Sequence, residues 1–177
     1  MRKLSMEELN RKSADEYKQA EKLPIVVVLE NIRSAYNVGS VFRTADAFLL
    51  DRIYICGYTA HPPHKEIKKT ALGADESVDW KYFKTTKEAV EELRKENFKI
   101  FSVEQAEKSI MLNTLKSDNE KLAIVFGNEV TGVEQATIQL SDGCIEIPQL
   151  GIKHSLNVSV AAGIVLWELA RTKMSEL

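Results

Sequence analysis

Two cysteines in 177 residues make no disulfide framework. Cys56 and Cys144 both sit in apolar, strand-like runs, so free thiols in a reducing cytoplasm are expected. No run of about 18 apolar residues occurs, which argues against a transmembrane helix. The opening MRKLSMEELNRKS is basic but has no apolar segment, so it does not read as a secretory signal. Linkers rich in Gly, Ser or Pro, internal repeats and low-complexity tracts are also missing, and one domain is expected. An excess of positive charge is missing too: 24 Lys and Arg stand against 26 Asp and Glu, a net −2. Proteins that hold nucleic acid through a broad field are usually basic. Any such partner must therefore be gripped by a local patch, or by a basic face concentrated in an oligomer.

Several chemistry-bearing motifs are absent as well. No GxGxxG follows a strand, so a dinucleotide site has no fingerprint. Gly127 to Gly132 has the spacing of a phosphate loop, but Val133 and Glu134 stand where Lys and Ser or Thr are needed. There is no GxSxG nucleophile elbow. Cys56, His61 and His64 lack an obvious fourth ligand, and no metal is expected.

What is present is a mixture of 44% hydrophobic and 28% charged residues, ordinary for a globular domain. Ile25–Leu29 is a continuous β-branched run, suited to a strand buried on both faces of a parallel sheet. Similar runs follow at Arg52–Cys56, Phe98–Val103, Lys121–Phe126 and Cys144–Ile147. Helical patterns separate them at about 38–49, 86–96, 133–140 and 155–171. Strands alternating with helices predict an α/β fold, a mainly parallel sheet with helices on both faces. Residues 5–22 alternate in charge and predict an exposed leading helix stopped by Pro24. That divides the chain into a helical extension, 1–23, and a main α/β domain, 24–177.

The last helical pattern is apolar nearly all round. Leu156, Val160, Ile164 and Trp167 lie on one face; Val158, Ala162, Val165 and Leu169 lie on another. Such a helix must be covered on both sides. Either the monomer covers both, or one face meets the sheet and the other a second subunit, which predicts a homodimer.

Three segments place polar residues where a strand ends and a helix begins, the usual ligand position on open α/β sheets. In the first, Asn37 can cap a helix that carries Arg43 among Val41, Phe42, Ala45 and Phe48. An arginine there needs an acceptor: a structural partner such as Asp46 or Glu30, or a ligand. In the second, Gly127 permits close backbone approach and Glu129 follows at a helix start. Glu129 either orients Arg43, binds a ligand amine, or simply favours the helix dipole. In the third, Pro148 stops a strand, Gly151 turns, and Ser155 can cap the last helix. Asn157 and Ser159 then put polar groups into an otherwise apolar stretch, for function or for back-bonding to the backbone.

Together these segments resemble the SpoU family of RNA ribose 2′-O-methyltransferases, the TrmH-like branch of the SPOUT superfamily. The residues that carry the resemblance are Asn37-Val-Gly39 with Arg43-Thr-Ala45; Phe126-Gly127-Asn-Glu129 with Gly132; and Ile147-Pro148 through Gly151 followed by Ser155-Leu-Asn-Val-Ser. The resemblance implies a deep trefoil knot near the C-terminus, a homodimer, and S-adenosylmethionine held by Val103, Gly127, Ile147, Ser155 and Leu156. It implies that Arg43 is the key catalytic residue, with Asn37, Glu129, Ser155 and Asn157 around it. An arginine general base is unattractive, because bringing a guanidinium from above 12 to near 7 costs roughly 7–9 kcal/mol. Holding the 2′-oxygen and a neighbouring phosphate suits it better. Lys65, Lys68 and Lys69 are expected on one side of a helix, as an RNA contact or a solvated surface. Only a short segment precedes the first strand, so a separate N-terminal RNA-binding domain is not expected. Transfer RNA is the expected substrate and ribosomal RNA its rival. Base methylation, a non-catalytic RNA-binding role and small-molecule catalysis compete with this reading.

Overall fold

The computed structural model describes residues 1–5, 8–9, 11–115, 120–152 and 155–174. Seven strands form one sheet: β1 (Leu23–Glu30), β2 (Leu50–Cys56), β3 (Trp80–Phe83), β4 (Lys99–Val103), β5 (Ile110–Met111), β6 (Leu122–Phe126) and β7 (Gly143–Glu146). Their order is β3-β2-β1-β6-β4-β7-β5, and every pairing is parallel. The helices are α1 (Ala14–Gln19), α2 (Ala35–Ala47), α3 (Lys65–Ala71), α4 (Ala74–Ser77), α5 (Thr86–Lys95), α6 (Gln135–Leu140) and α7 (Val158–Met174).

The continuous apolar runs are explained by burial on both faces. Ile25, Val27 and Leu29 of β1 point into a core shared with α2, α3 and α7. Val26 and Val28 point the other way, into a second core with Ala89, Val90 and Leu93 of α5. The two-residue period of a strand sends alternate side chains to opposite layers, so both must be apolar. The α/β expectation is met.

Three local expectations change. The leading helix shrinks to α1, which a Ser13–Glu16 capping box starts and where Tyr17 is buried. Pro24 lies inside β1 rather than stopping a helix; Met6, Glu7 and Asn10 lie outside the described residues. The first-segment helix begins at Ala35, and Ser34, not Asn37, is its N-cap. The last helix begins at Val158, and its cap is Asn157 rather than Ser155: the Asn157 Oδ1 accepts from Ser159 N at 2.9 Å. Edge strands β3 and β5 carry no apolar run. Lys81 and Tyr82 of β3 are exposed, and so are both residues of β5, so neither has the buried pattern that marks β1 or β6.

Close helix packing also shapes the sequence. A Cβ on Gly39 of α2 would sit 2.4 Å from the Ile67 carbonyl of α3, so only glycine allows this approach.

Candidate functional site

The carboxyl ends of β4, β6 and β7 open into a cleft of about 460 Å³. Its walls are the segments after each strand: Val103–Gln105, Phe126–Val133 and Ile145–Ala161 in part. Val103, Gly127, Ile147, Ser155 and Leu156 all line it, so five residues scattered over the sequence meet at one place.

The loop after β6 is tied by its own asparagine. Asn128 Oδ1 accepts from Val130 N (2.8 Å) and Thr131 N (3.0 Å), while the backbones of Asn128 and Gly132 exchange two hydrogen bonds. The loop closes so tightly over Gly127 that a Cβ there would lie 2.3 Å from Gly132 C and Val133 N. Gly127 is thus required by its own loop, and it lines the cleft. Asn128 Nδ2 reaches across to Asn31 O (2.8 Å) and the Tyr58 hydroxyl (2.7 Å), fastening this loop to the ends of β1 and β2.

Glu129 does not orient Arg43. Its carboxylate accepts from Arg33 N (2.8 Å), Ser34 N (3.1 Å) and Asn37 Nδ2 (2.9 Å), so it closes the first turn of α2 from outside. Partial burial pushes the Glu129 carboxyl up, but these donors outweigh it and hold it below its ordinary value. Asn37 in turn accepts from Asn157 Nδ2 at 3.2 Å. The predicted trio Asn37, Glu129 and Asn157 is therefore one hydrogen-bonded chain linking α2, the loop after β6 and the start of α7. Ser155 stands beside it in the cleft wall, and is exposed.

Arg43 lies elsewhere. It is exposed on α2, in a shallow groove with Phe48, Lys69 and Gly163 of α7. Neither structural partner weighed for it is used. Asp46 accepts from Ser77 Oγ at 2.7 Å. Glu30, 1% exposed, accepts from Glu134 N at 2.8 Å and from the Thr137 hydroxyl. Among the described residues no side chain pairs with Arg43, which leaves its donors free for a ligand.

The three lysines do share α3, but not one side. Lys65 and Lys68 line a groove with Pro62 and Pro63, whereas Lys69 stands in the groove of Arg43. Lys68 and Lys69 are adjacent in sequence, and a helix turns about 100° between neighbours. Lys68 is engaged by Glu76 at 3.2 Å, an exposed pair. His64 caps α3 through Glu66 N, and His61 stacks on Trp80.

The residues missed from sequence are those that tie loop to loop: Asn31, Asn128, Glu30 and Glu104. Glu104 Oε2 accepts from Val133 N at 3.1 Å, and Asn31 Nδ2 donates to Glu134 at 2.7 Å with its own backbone in the left-handed region. The available signal was position: each stands at or just beyond a strand's carboxyl end.

The cleft suits a cationic, partly apolar ligand. Glu104, Glu129 and Glu146 line it, together with Val103, Ile145, Ile147 and Leu156, and among the described residues no Lys, Arg or His does. A sulfonium nucleoside, positively charged and partly apolar, fits that lining.

The SpoU rRNA Methylase family model matches residues 24–167. The chain is 28% identical over 167 residues to a tRNA (guanosine(18)-2′-O)-methyltransferase of Thermus thermophilus, covering 94% of this chain and 84% of that protein. It is 31% identical over 156 residues to a putative TrmH family tRNA/rRNA methyltransferase of Staphylococcus aureus, covering 88% of this chain and 62% of that one. An AdoMet-bound rRNA methyltransferase from Sinorhizobium meliloti superposes with a TM-score of 0.79 at 26% identity, over 93% of this chain and 62% of that one. The TrmH/SpoU tRNA modifying enzyme of A. aeolicus shares the fold, with a TM-score of 0.80 at 24% identity over 90% of this chain and 80% of that one. The matched span contains all three loops that wall the cleft and the helix that carries Arg43: the chain belongs to the SpoU rRNA methylase family.

Proposed function

We propose that this methyltransferase moves the methyl group of S-adenosylmethionine to a ribose 2′-hydroxyl in RNA, with transfer RNA preferred over ribosomal RNA. The observation that carries the reading is the cleft itself, acidic and apolar, fastened through Glu129 and Asn37 to the helix that presents an unpartnered Arg43. Val103, Ile147 and Leu156 supply apolar contact to the adenine, and the Gly127 and Ser155 segments offer backbone groups to its edge. The bound cofactor supplies a methyl group on a positively charged sulfur, which leaves as a neutral thioether. Arg43 binds the 2′-oxygen and a neighbouring phosphate, and stabilises the negative charge that develops on that oxygen as its proton passes to solvent water. Asn37, Glu129 and Asn157 are positioning residues: they hold the start of α2 against the cleft.

The working unit is a homodimer in the cytoplasm. Leu156, just before α7, and Val160, Ile164 and Trp167 on it remain 39%, 51%, 39% and 50% exposed, a stripe of large apolar side chains. A second copy would cover it. Gly163 belongs both to this face and to the groove of Arg43, so the partner sits beside the catalytic arginine. The family's C-terminal trefoil knot is carried over with the fold. No helix among the described residues is long and apolar enough to cross a membrane.

The test is transfer of labelled methyl from S-adenosylmethionine to RNA lacking 2′-O-methylation, followed by nucleoside mass spectrometry. A 2′-O-methylnucleoside in the tRNA fraction is expected. Label in the ribosomal fraction would change the substrate, and label in a base would remove the role given to Arg43.

A further inference from the structure

Beyond the cleft, the carboxyl ends of β2 and β3 carry a cluster of aromatic rings that the core does not consume. Tyr58 is 64% exposed and Tyr82 43%, and His61 beside Tyr82 is exposed as well. The rings are held in place. His61 lies 5.1 Å from Tyr82 and 5.6 Å from Trp80, the latter at an interplanar angle of 23°. The Tyr82 hydroxyl donates to Gly57 O at 3.0 Å, and the Tyr58 hydroxyl accepts from Asn128 Nδ2 at 2.7 Å. Asn128 also lines the cofactor cleft, so the cluster stands one hydrogen bond from it. Gly57, in the left-handed region, sets the turn: a Cβ there would fall 1.9 Å from Asn31 Oδ1.

Cations stand on the neighbouring segments. Arg33 follows β1, Lys65 opens α3 and Lys84 follows β3; their side chains are exposed and have no partner among the described residues. Exposed rings beside free cations on the rim of an active-site cleft match how unpaired bases are held. Every base offers a π-face, and the backbone offers phosphates.

We propose that Tyr58, His61 and Tyr82 form a stacking platform for an unpaired base of the RNA substrate, near the nucleotide being methylated. The proposal rests on the RNA reading above. On this proposal the platform, rather than a broad basic field, directs the protein to single-stranded regions. That agrees with a chain whose net charge is −2.

The test compares binding of bulk tRNA lacking 2′-O-methylation by the wild-type protein, a Tyr58→Leu/Tyr82→Leu variant and a Tyr82→Phe variant. The Leu pair keeps apolar bulk without a π-face. It should weaken tRNA binding by about five- to 150-fold, the loss of one stacked base. The slope of affinity against salt should not change, because stacking releases no counterions. S-adenosylmethionine binding by calorimetry should be unaltered in a Tyr82→Leu single variant, which leaves the Tyr58–Asn128 bond in place, and Tyr82→Phe should bind tRNA as the wild type does. Ultraviolet cross-linking of the wild-type complex, read by peptide mass spectrometry, gives a measurement that needs no variant: nucleotide adducts are expected on Tyr58, His61 or Tyr82. Wild-type tRNA affinity in the Leu pair, or adducts confined to other segments, would overturn the platform and leave the methyltransferase reading standing. A wild-type protein that neither binds nor methylates tRNA or ribosomal RNA would remove the RNA reading, and the platform with it.

Discussion

Arg43 and Glu129 show how one side chain's surroundings decide its chemistry. Arg43 sits on a helix whose neighbours Val41, Phe42 and Ala45 are buried, yet its own donors face a groove and meet no acceptor among the described residues. Arg43→Ala should reduce methyl transfer by at least about 100- to 1,000-fold, the scale of losing a donor to a developing oxyanion. S-adenosylmethionine affinity, measured by calorimetry, should stay the same. Arg43→Lys should fail as well, since a point charge cannot bridge two oxygens as a guanidinium does. An active Arg43→Ala protein would end this assignment. Glu129 has a different duty, visible as pH dependence. Its carboxyl is held below the ordinary value of 4.5 in the folded protein. Its contribution to stability is therefore complete above about that value and is lost as pH falls through the lower, folded value. Thermal midpoints of wild type and Glu129→Gln, compared from pH 7 to 3, should converge in the acid range. A constant difference across that range would show that the carboxylate charge is not what secures α2.

At the level of elements, α7 holds the most consequential contrast. Val158, Ala162, Val165, Leu166 and Leu169 bury one side against the core, while Val160, Ile164 and Trp167 leave the other open. Both sides are equally apolar in sequence, because each is to be covered by something, and only one cover belongs to the same chain. Val160→Asp with Ile164→Asp should yield a folded monomer by sedimentation, with cofactor binding retained and methyl transfer lost. The substitutions touch no buried residue, so the thermal midpoint should fall only by what dimerisation contributes at that protein concentration. A variant that still sediments as a dimer would place the interface elsewhere.

The whole molecule faces its substrate with little net charge to spend. Attraction for a polyanion must then be local, and Lys65 with Lys68 beside Pro62 and Pro63 is the expected phosphate contact. Reversing both, Lys65→Glu with Lys68→Glu, should weaken tRNA binding and flatten its salt dependence by about one to two counterions. The fold should survive, because the double change breaks an exposed ion pair, Lys68 with Glu76, of a kind worth about 0–1 kcal/mol. Unchanged affinity and slope would move the contact to Lys69 and Arg43. This salt response, set against the salt-independent loss expected from the aromatic rim, separates the two proposed modes of RNA binding.

Strand runs such as Ile25–Leu29 and Lys121–Phe126 specified the buried parallel sheet on their own, since burial on both faces demands continuous apolar residues and little else satisfies that pattern. Sequence likewise specified the two faces of α7 and the three polar loops, because helical period and strand ends are local properties. Caps were ambiguous: Ser34 and Asn37, or Ser155 and Asn157, are equally able to accept a backbone N–H, and packing alone chose between them. Strand order brought Val103, Gly127, Ile147 and Leu156 to one cleft and gave Glu129 to the start of α2 rather than to Arg43. It also set Tyr58 against Asn128. These are contacts between segments tens of residues apart. No local propensity encodes them, and they exist only once the parallel sheet fixes which strand ends are neighbours.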